Sequence, residues 1–113
     1  MSLLFIILAM QSAPTEATVA KFRQDFEAYN ACTVSTVKIG MTTKMDPETF
    51  QAGFAKSCLI EEEQFHKSFV QVIIETGKTA EQARTEVDEN IAKGRAVYVA
   101  DQASYFKTGG VPK

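Results

Sequence analysis

The chain lacks tryptophan and has one histidine, His66, and two cysteines, Cys32 and Cys58, among its 113 residues. Its longest apolar run, Leu3 to Met10, has eight residues, whereas a helix that spans a bilayer needs about 20. Acidic residues outnumber basic ones by 14 to 12, which gives a net charge of −2. The sequence therefore predicts no stable membrane span and no nucleic-acid partner, because the chain has no excess of basic residues to neutralise phosphates.

Motifs for catalysis and cofactor binding are also lacking. The Gly-Lys-Thr triplet at residues 77–79 lacks the upstream glycine of a phosphate-binding loop. Glu63 and His66 match half of a carboxylate-bridged dimetal motif, but the second histidine that the motif needs is absent. A pair of Glu63 and His66 at the surface explains this spacing better. We therefore predict no enzyme activity, no metal site and no cofactor.

The first seventeen residues differ from the rest of the chain. The apolar run of eight residues has the length of a signal-peptide core, and the small residues Thr15 and Ala17 favour cleavage before Thr18. However, no Lys or Arg precedes the run. This leaves open an upstream start, a trimmed chain or a buried N-terminal segment of the mature fold. We assign residues 1–17 as a signal peptide or apolar N-terminal segment.

The two cysteines lie at equal distances in sequence from Met45, which precedes the helix-start signal Asp46-Pro47. If the chain folds back there, Cys32 and Cys58 face each other across a helical hairpin. An even number of cysteines in a small exported chain is usually paired. We therefore expect a structural disulfide and a periplasmic or secreted protein. The alternative is two unrelated buried thiols in a cytosolic protein.

Apolar residues recur at helical spacing in three segments, which predicts an all-α fold: a three-helix antiparallel bundle with one inter-helix disulfide. The second helix begins at Asp46-Pro47 and ends at Gly77, and Thr79 with Gln82 forms a capping box for the third. The first helix spans residues 16–39, and the third ends at the glycine pair 109–110. A single helical domain is expected over 18–108, with a tail at 109–113.

Antiparallel pairing of these helices predicts a polar cluster of Tyr29, Glu61 and Arg95. Tyr29 and Glu61 are equidistant in sequence from Met45, and Glu61 and Arg95 are equidistant from Lys78, so the three residues should lie at one level of the bundle. Glu61 also falls within an apolar stripe. A carboxylate carried inward needs a partner, and Arg95 is the expected one. The cluster could form a polar site between helices, or a buried ion pair that fixes helix register, which we favour.

The segments around the two cysteines, residues 29–32 and 54–61, resemble a loose group of small exported proteins from Gram-negative bacteria. These proteins share a signal peptide, two cysteines on adjacent helices and an acidic residue soon after the second. The group has no assigned function, so the resemblance implies location and a disulfide only. Two families of exported, disulfide-stabilised helical proteins, type VI secretion immunity proteins and acid-stress chaperones, offer an analogy at the level of fold.

Phenylalanine and tyrosine are abundant for three helices, and apolar residues lie on more than one face of the second. The first helix, the N-terminal segment, another protein or a second copy could cover these faces, and we favour a homodimer. We predict an exported protein that acts by binding another protein, as an inhibitor or immunity factor does. The alternatives are a carrier of an apolar small molecule between helices and an enzyme that uses the predicted polar cluster.

Overall fold

Four helices occupy residues 13–109, the part of the chain that the computed structural model describes. They are α1 (Glu16–Thr42), α2 (Pro47–Phe54), α3 (Leu59–Glu75) and α4 (Ala80–Thr108). These residues contain no strand, which confirms the all-α class. The predicted count of three helices is wrong, because the expected second helix is two helices, α2 and α3.

Three of the four helices begin at a polar cap. The Thr15 side chain accepts a hydrogen bond from the Thr18 amide, and the Asp46 side chain accepts from the first turn of α2. Thr79 and Gln82 form a complete capping box at the start of α4. Each cap satisfies amides that have no partner within the helix. The starts predicted at Asp46 and Thr79 are therefore confirmed.

Residues 55–58 interrupt the second of the predicted helices. Cys58 has a left-handed backbone with a φ of 60°, which an α-helix cannot accommodate. The Ser57 hydroxyl donates to the Phe54 carbonyl at 2.7 Å, so it satisfies one of the acceptors at the end of α2. Glu61 and Glu62 then lie in the first turn of α3, where acidic side chains complement the helix dipole.

α1 runs antiparallel to the α2–α3 pair, and residues at equal distances in sequence from Met45 face each other, as predicted. Cys32 is bonded to Cys58, and the Thr15 amide donates to Glu75. Both pairs are equidistant in sequence from Met45. The turn at Gly77, whose φ is 110°, then reverses the chain, so that α4 runs parallel to α1. α3 therefore packs against both long helices.

Apolar side chains form two clusters, one on each side of the break. The larger, which we call the large core, joins α1, α3 and α4 through Tyr29, Phe65, Ile73, Ala83, Val87 and Ile91. The smaller, the small core, joins α1, α2 and α4. Its buried residues are Val37, Phe50 and Phe54, and the partly buried residues packed against them are Met41, Met45, Tyr98 and Val99. The break at residues 55–58 therefore lies where two separate cores meet.

The N-terminal predictions fall largely outside residues 13–109. The apolar run Leu3–Met10 lies outside the described residues, as do residues 110–113 of the predicted tail. Thr15 caps α1, and the Thr18 hydroxyl donates to Glu75 at 2.7 Å. Cleavage before Thr18 would thus remove the cap and the first residues of α1. Within the described range, none of the helices is both long enough and apolar enough to cross a membrane.

Candidate functional site

Arg95 extends from α4 to the break between α2 and α3. Its Nη1 donates to the Phe54 carbonyl at 2.7 Å and its Nη2 to the Ser57 carbonyl at 2.8 Å. Its Nε donates to a Glu62 carboxylate oxygen at 2.5 Å. The guanidinium carbon also lies 4.9 Å from the centre of the Phe54 ring, within cation–π distance. One side chain therefore binds the end of α2, the break and the first turn of α3.

Tyr29 connects this polar cluster to α1 and to the large core. Its ring stacks on Phe65 with centroids 5.2 Å apart, and its hydroxyl donates to the same Glu62 oxygen at 3.2 Å. The Arg95 guanidinium lies 5.7 Å from the tyrosine ring. Burial is the largest of the effects that raise the pKa of Tyr29 from 10.0 to about 12, so the phenol keeps its proton to a higher pH than an exposed tyrosine does.

The partner of Arg95 is Glu62, and the expectation of Glu61 is corrected. Because the second helix is broken, α3 has its own rotational phase, and Glu62 points to α4 where Glu61 was expected. Glu61 instead points to α1, beside the disulfide. The structure thus brings Tyr29 and Arg95 together as predicted, with the neighbouring carboxylate between them.

The predicted disulfide joins Cys32 of α1 to Cys58 at the break, with Cα atoms 6.0 Å apart. A Glu61 carboxylate oxygen lies within 4.8 Å of both sulfurs, so the three residues form a group of potential metal ligands. Metal-binding cysteines coordinate as thiolates, and the bridge uses both sulfurs. The arrangement therefore leaves Glu61 as the one remaining ligand of this group.

A groove of about 390 Å³ runs along the surface between α2 and α4, next to the break. We call it the α2/α4 groove. Phe54 and Arg95 contribute to its lining from the two helices. The other lining residues are Gln51 and five small apolar residues: Ala55, Ala92, Ala96, Val99 and Ala100. Since Arg95 also holds the break, the same residue fixes the distance between the groove walls.

Gly94, a glycine in the middle of α4, does not lie at a close helix contact, although its spacing from Ile91 and Tyr98 favours an inward-facing position. A Cβ atom at this position would have no neighbour within 4 Å, and the residue is exposed. Arg95 occupies the inward position one residue later, between Ile91 and Tyr98 at helical spacing. Gly94 instead lines an open groove between α1 and α4, which has a volume of about 200 Å³.

Gln102 is a buried polar residue that the sequence analysis missed. It is fully buried, and its side-chain nitrogen donates to the Met45 carbonyl at 2.6 Å. This bond ties α4 to the turn that follows α1. Helical spacing alone could have found it, because Gln102 lies seven residues after Arg95 on the inward face of α4.

His66 of α3 contacts a residue of α4 and not Glu63 of its own helix. Its Nε2 lies 2.7 Å from an oxygen of Asp88 on α4, while Glu63 pairs with Lys67. The expected pairing of Glu63 with His66 is therefore replaced by an inter-helix contact.

No protein-family model, curated protein or solved structure matches this chain.

Proposed function

We propose that this is an exported helical protein that acts by binding another protein, without catalysis, through the α2/α4 groove. The observation that carries the proposal is the groove itself. Six of its eight lining residues are alanine, valine or phenylalanine, and Arg95 holds the break beside it in place. An apolar groove between two helices accepts the apolar face of a third.

The polar cluster supports binding more than chemistry. Arg95 is largely buried and donates to three different acceptors, and the Tyr29 hydroxyl donates to Glu62. These groups are committed to joining helices, which is how a fixed binding surface is prepared in advance. A protein of this kind would act by occupying a partner, as inhibitors and immunity factors do.

Export is the second part of the proposal. The Cys32–Cys58 disulfide supports it, because such bonds persist in oxidising compartments and are rare in the cytosol. Fractionation of expressing cells, with thiol alkylation before lysis, tests the location. We expect the protein in the periplasm or medium with both cysteines resistant to alkylation. Recovery from the cytosol with both thiols labelled would contradict export.

The binding proposal is tested by capture with matched variants. Ala96 lies in the groove, whereas Ala20 is an exposed alanine on α1 that does not line it. A genuine partner should be retained by the wild-type protein and by Ala20→Arg but lost with Ala96→Arg. A partner retained equally by all three proteins would place the binding surface elsewhere and contradict the proposal.

A carrier of an apolar small molecule is the second candidate. The groove volume of about 390 Å³ lies within the range of small-molecule sites, about 300–1,000 Å³. Native mass spectrometry of the purified protein distinguishes the two functions. A retained lipid-sized adduct that is absent in Ala96→Arg would favour the carrier, and a mass equal to the polypeptide alone would favour protein binding.

A further inference from the structure

We infer that the α2/α4 groove takes α4 of a second copy of this chain, in a symmetric antiparallel dimer. The inference rests on the proposed function, since it names the helix that fills the proposed docking surface. Its starting point is that α4 supplies one wall of the groove and also carries apolar residues along that face at helical spacing: Ala92, Ala96, Val99, Ala103 and Phe106.

The far end of this face is exposed although it is aromatic. Phe106 is 46% exposed, and it lies seven residues, or two helical turns, after Val99 on the same side of α4. The alanines between the ends leave room for a second backbone to approach closely. The face thus has the length of a helix-packing surface, and three of its residues, Ala92, Ala96 and Val99, also line the groove.

Charge selects an antiparallel copy of α4 as the occupant. Residues 80–90 carry four acidic side chains and one basic, whereas residues 91–108 carry two basic and one acidic besides Arg95, whose charge is paired with Glu62. A parallel copy would bring like charges together, and an antiparallel copy brings opposite charges together. The same surface then meets itself, as a two-fold interface requires.

The apolar positions and the charges agree on one register. An antiparallel copy centred between Val97 and Tyr98 places Ala96 opposite the partner's Val99, and Ala92 opposite the partner's Ala103. The same alignment brings Glu89 next to the partner's Lys107 near each end of the interface. Two-fold symmetry repeats this ion pair, so one substitution alters both copies of it.

Sedimentation velocity of the full chain over a range of protein concentrations tests the dimer. We expect a reversible dimer that Ala96→Arg converts to a monomer. The substitution should raise the dissociation constant of the dimer by about 100-fold or more. Ala20→Arg is the matched control and should leave the dimer intact. A wild-type monomer at all concentrations would overturn the inference, and so would a dimer that both variants leave unchanged.

A charge swap tests the register without placing a large side chain in the groove. Lys107→Glu should raise the dissociation constant roughly tenfold, because each dimer has two such pairs. Adding Glu89→Lys to that variant should restore the wild-type value. A double variant as weak as the single one would overturn the antiparallel alignment. Circular dichroism should show unchanged helix content in each variant.

The dimer and the proposed function fail in different ways. If the chain is monomeric while Ala96→Arg still abolishes partner capture, the groove binds a different protein and only the dimer is wrong. If Ala96→Arg dissociates the dimer but leaves partner capture unchanged, the dimer stands and the proposed binding function of the groove is wrong.

Discussion

The two cores of the molecule hold together in different ways. The large core joins α1, α3 and α4 through six buried apolar residues, and the Phe65 ring contacts four other aromatic rings of α1 and α3 there: Phe22, Phe26, Tyr29 and Phe69. The small core has three buried apolar residues, and its middle helix, α2, is only eight residues long. Helices this short are not stable alone, so α2 depends on its contacts.

Those contacts are unusually specific. Arg95 binds the last carbonyl of α2 and a carbonyl of the break, Gln102 binds the turn before α2, and the disulfide holds the break that follows it. In the large core, apolar burial over continuous helices is the main source of stability. The small core adds polar and covalent ties at each end of α2. The shape of the α2/α4 groove therefore depends on the weaker half of the molecule.

The largest expected effect comes from removing an aromatic ring of the small core. Phe54→Ala should lower the free energy of unfolding by about 3–5 kcal/mol, because the ring is buried against Phe50 and Tyr98 and beneath Arg95. Phe26→Ala, which truncates a ring that is 44% exposed at the edge of the large core, is the control and should cost much less. Chemical denaturation measures both. Equal costs would mean that the small core does not depend on Phe54.

Removing the polar tie should have the next largest effect. Arg95→Met should lower the free energy of unfolding by about 2–3 kcal/mol, since it removes the charged donor from Glu62 and from two carbonyl groups. Glu62→Gln should cost less, and Glu61→Gln should change stability by no more than about 0.5 kcal/mol. An Arg95→Met protein more stable than wild type would contradict the role of this tie.

Two glycines distinguish the tight core from the open surface. A Cβ atom at Gly40 would lie 2.5 Å from the buried Phe50 ring, so Gly40→Ala should destabilise the protein by about 1–3 kcal/mol. Gly94→Ala meets nothing and should stabilise α4 by about 0.5–1 kcal/mol. Thermal denaturation of both variants checks the pair. A Gly40→Ala protein at least as stable as wild type would show that α1 and α2 are not in close contact at this position.

The smallest effect concerns pH. Because burial raises the pKa of Tyr29 from 10.0 to about 12, the folded protein keeps this proton between those values while the unfolded chain loses it. Stability from this group is full below pH 10 and is lost as the pH rises through about 12. Absorbance titration should show one late-ionising tyrosine that Tyr29→Phe removes. A wild-type curve without a late phase would contradict the burial.

The sequence signals that proved reliable were local ones. Asp46-Pro47 and the pair of Thr79 with Gln82 predicted helix starts because each residue satisfies free amides by itself. Once those turns were placed, counting from Met45 also predicted the register of the disulfide. The class of fold and the pairing of its first helices therefore followed from a few short motifs.

The features that were missed arise from contacts distant in sequence. Residues 55–58 contain no proline or glycine, so the break was not evident, although an acidic triplet at residues 61–63 is typical of a helix start. The break changes the rotational phase of α3, so that Glu62 and not the predicted Glu61 faces Arg95. The groove depends on the distance between α2 and α4, which Arg95 sets through backbone carbonyls that no pattern of residues reveals.

Ties at the break hold the small core onto the large core, which apolar burial stabilises without them. Native-state hydrogen exchange of the oxidised and the reduced protein tests this most directly. We expect reduction of Cys32–Cys58 to speed exchange at the amides of Phe50 and Phe54, while Ile73 and Val87 keep their protection. Equal loss of protection in both cores would contradict the account.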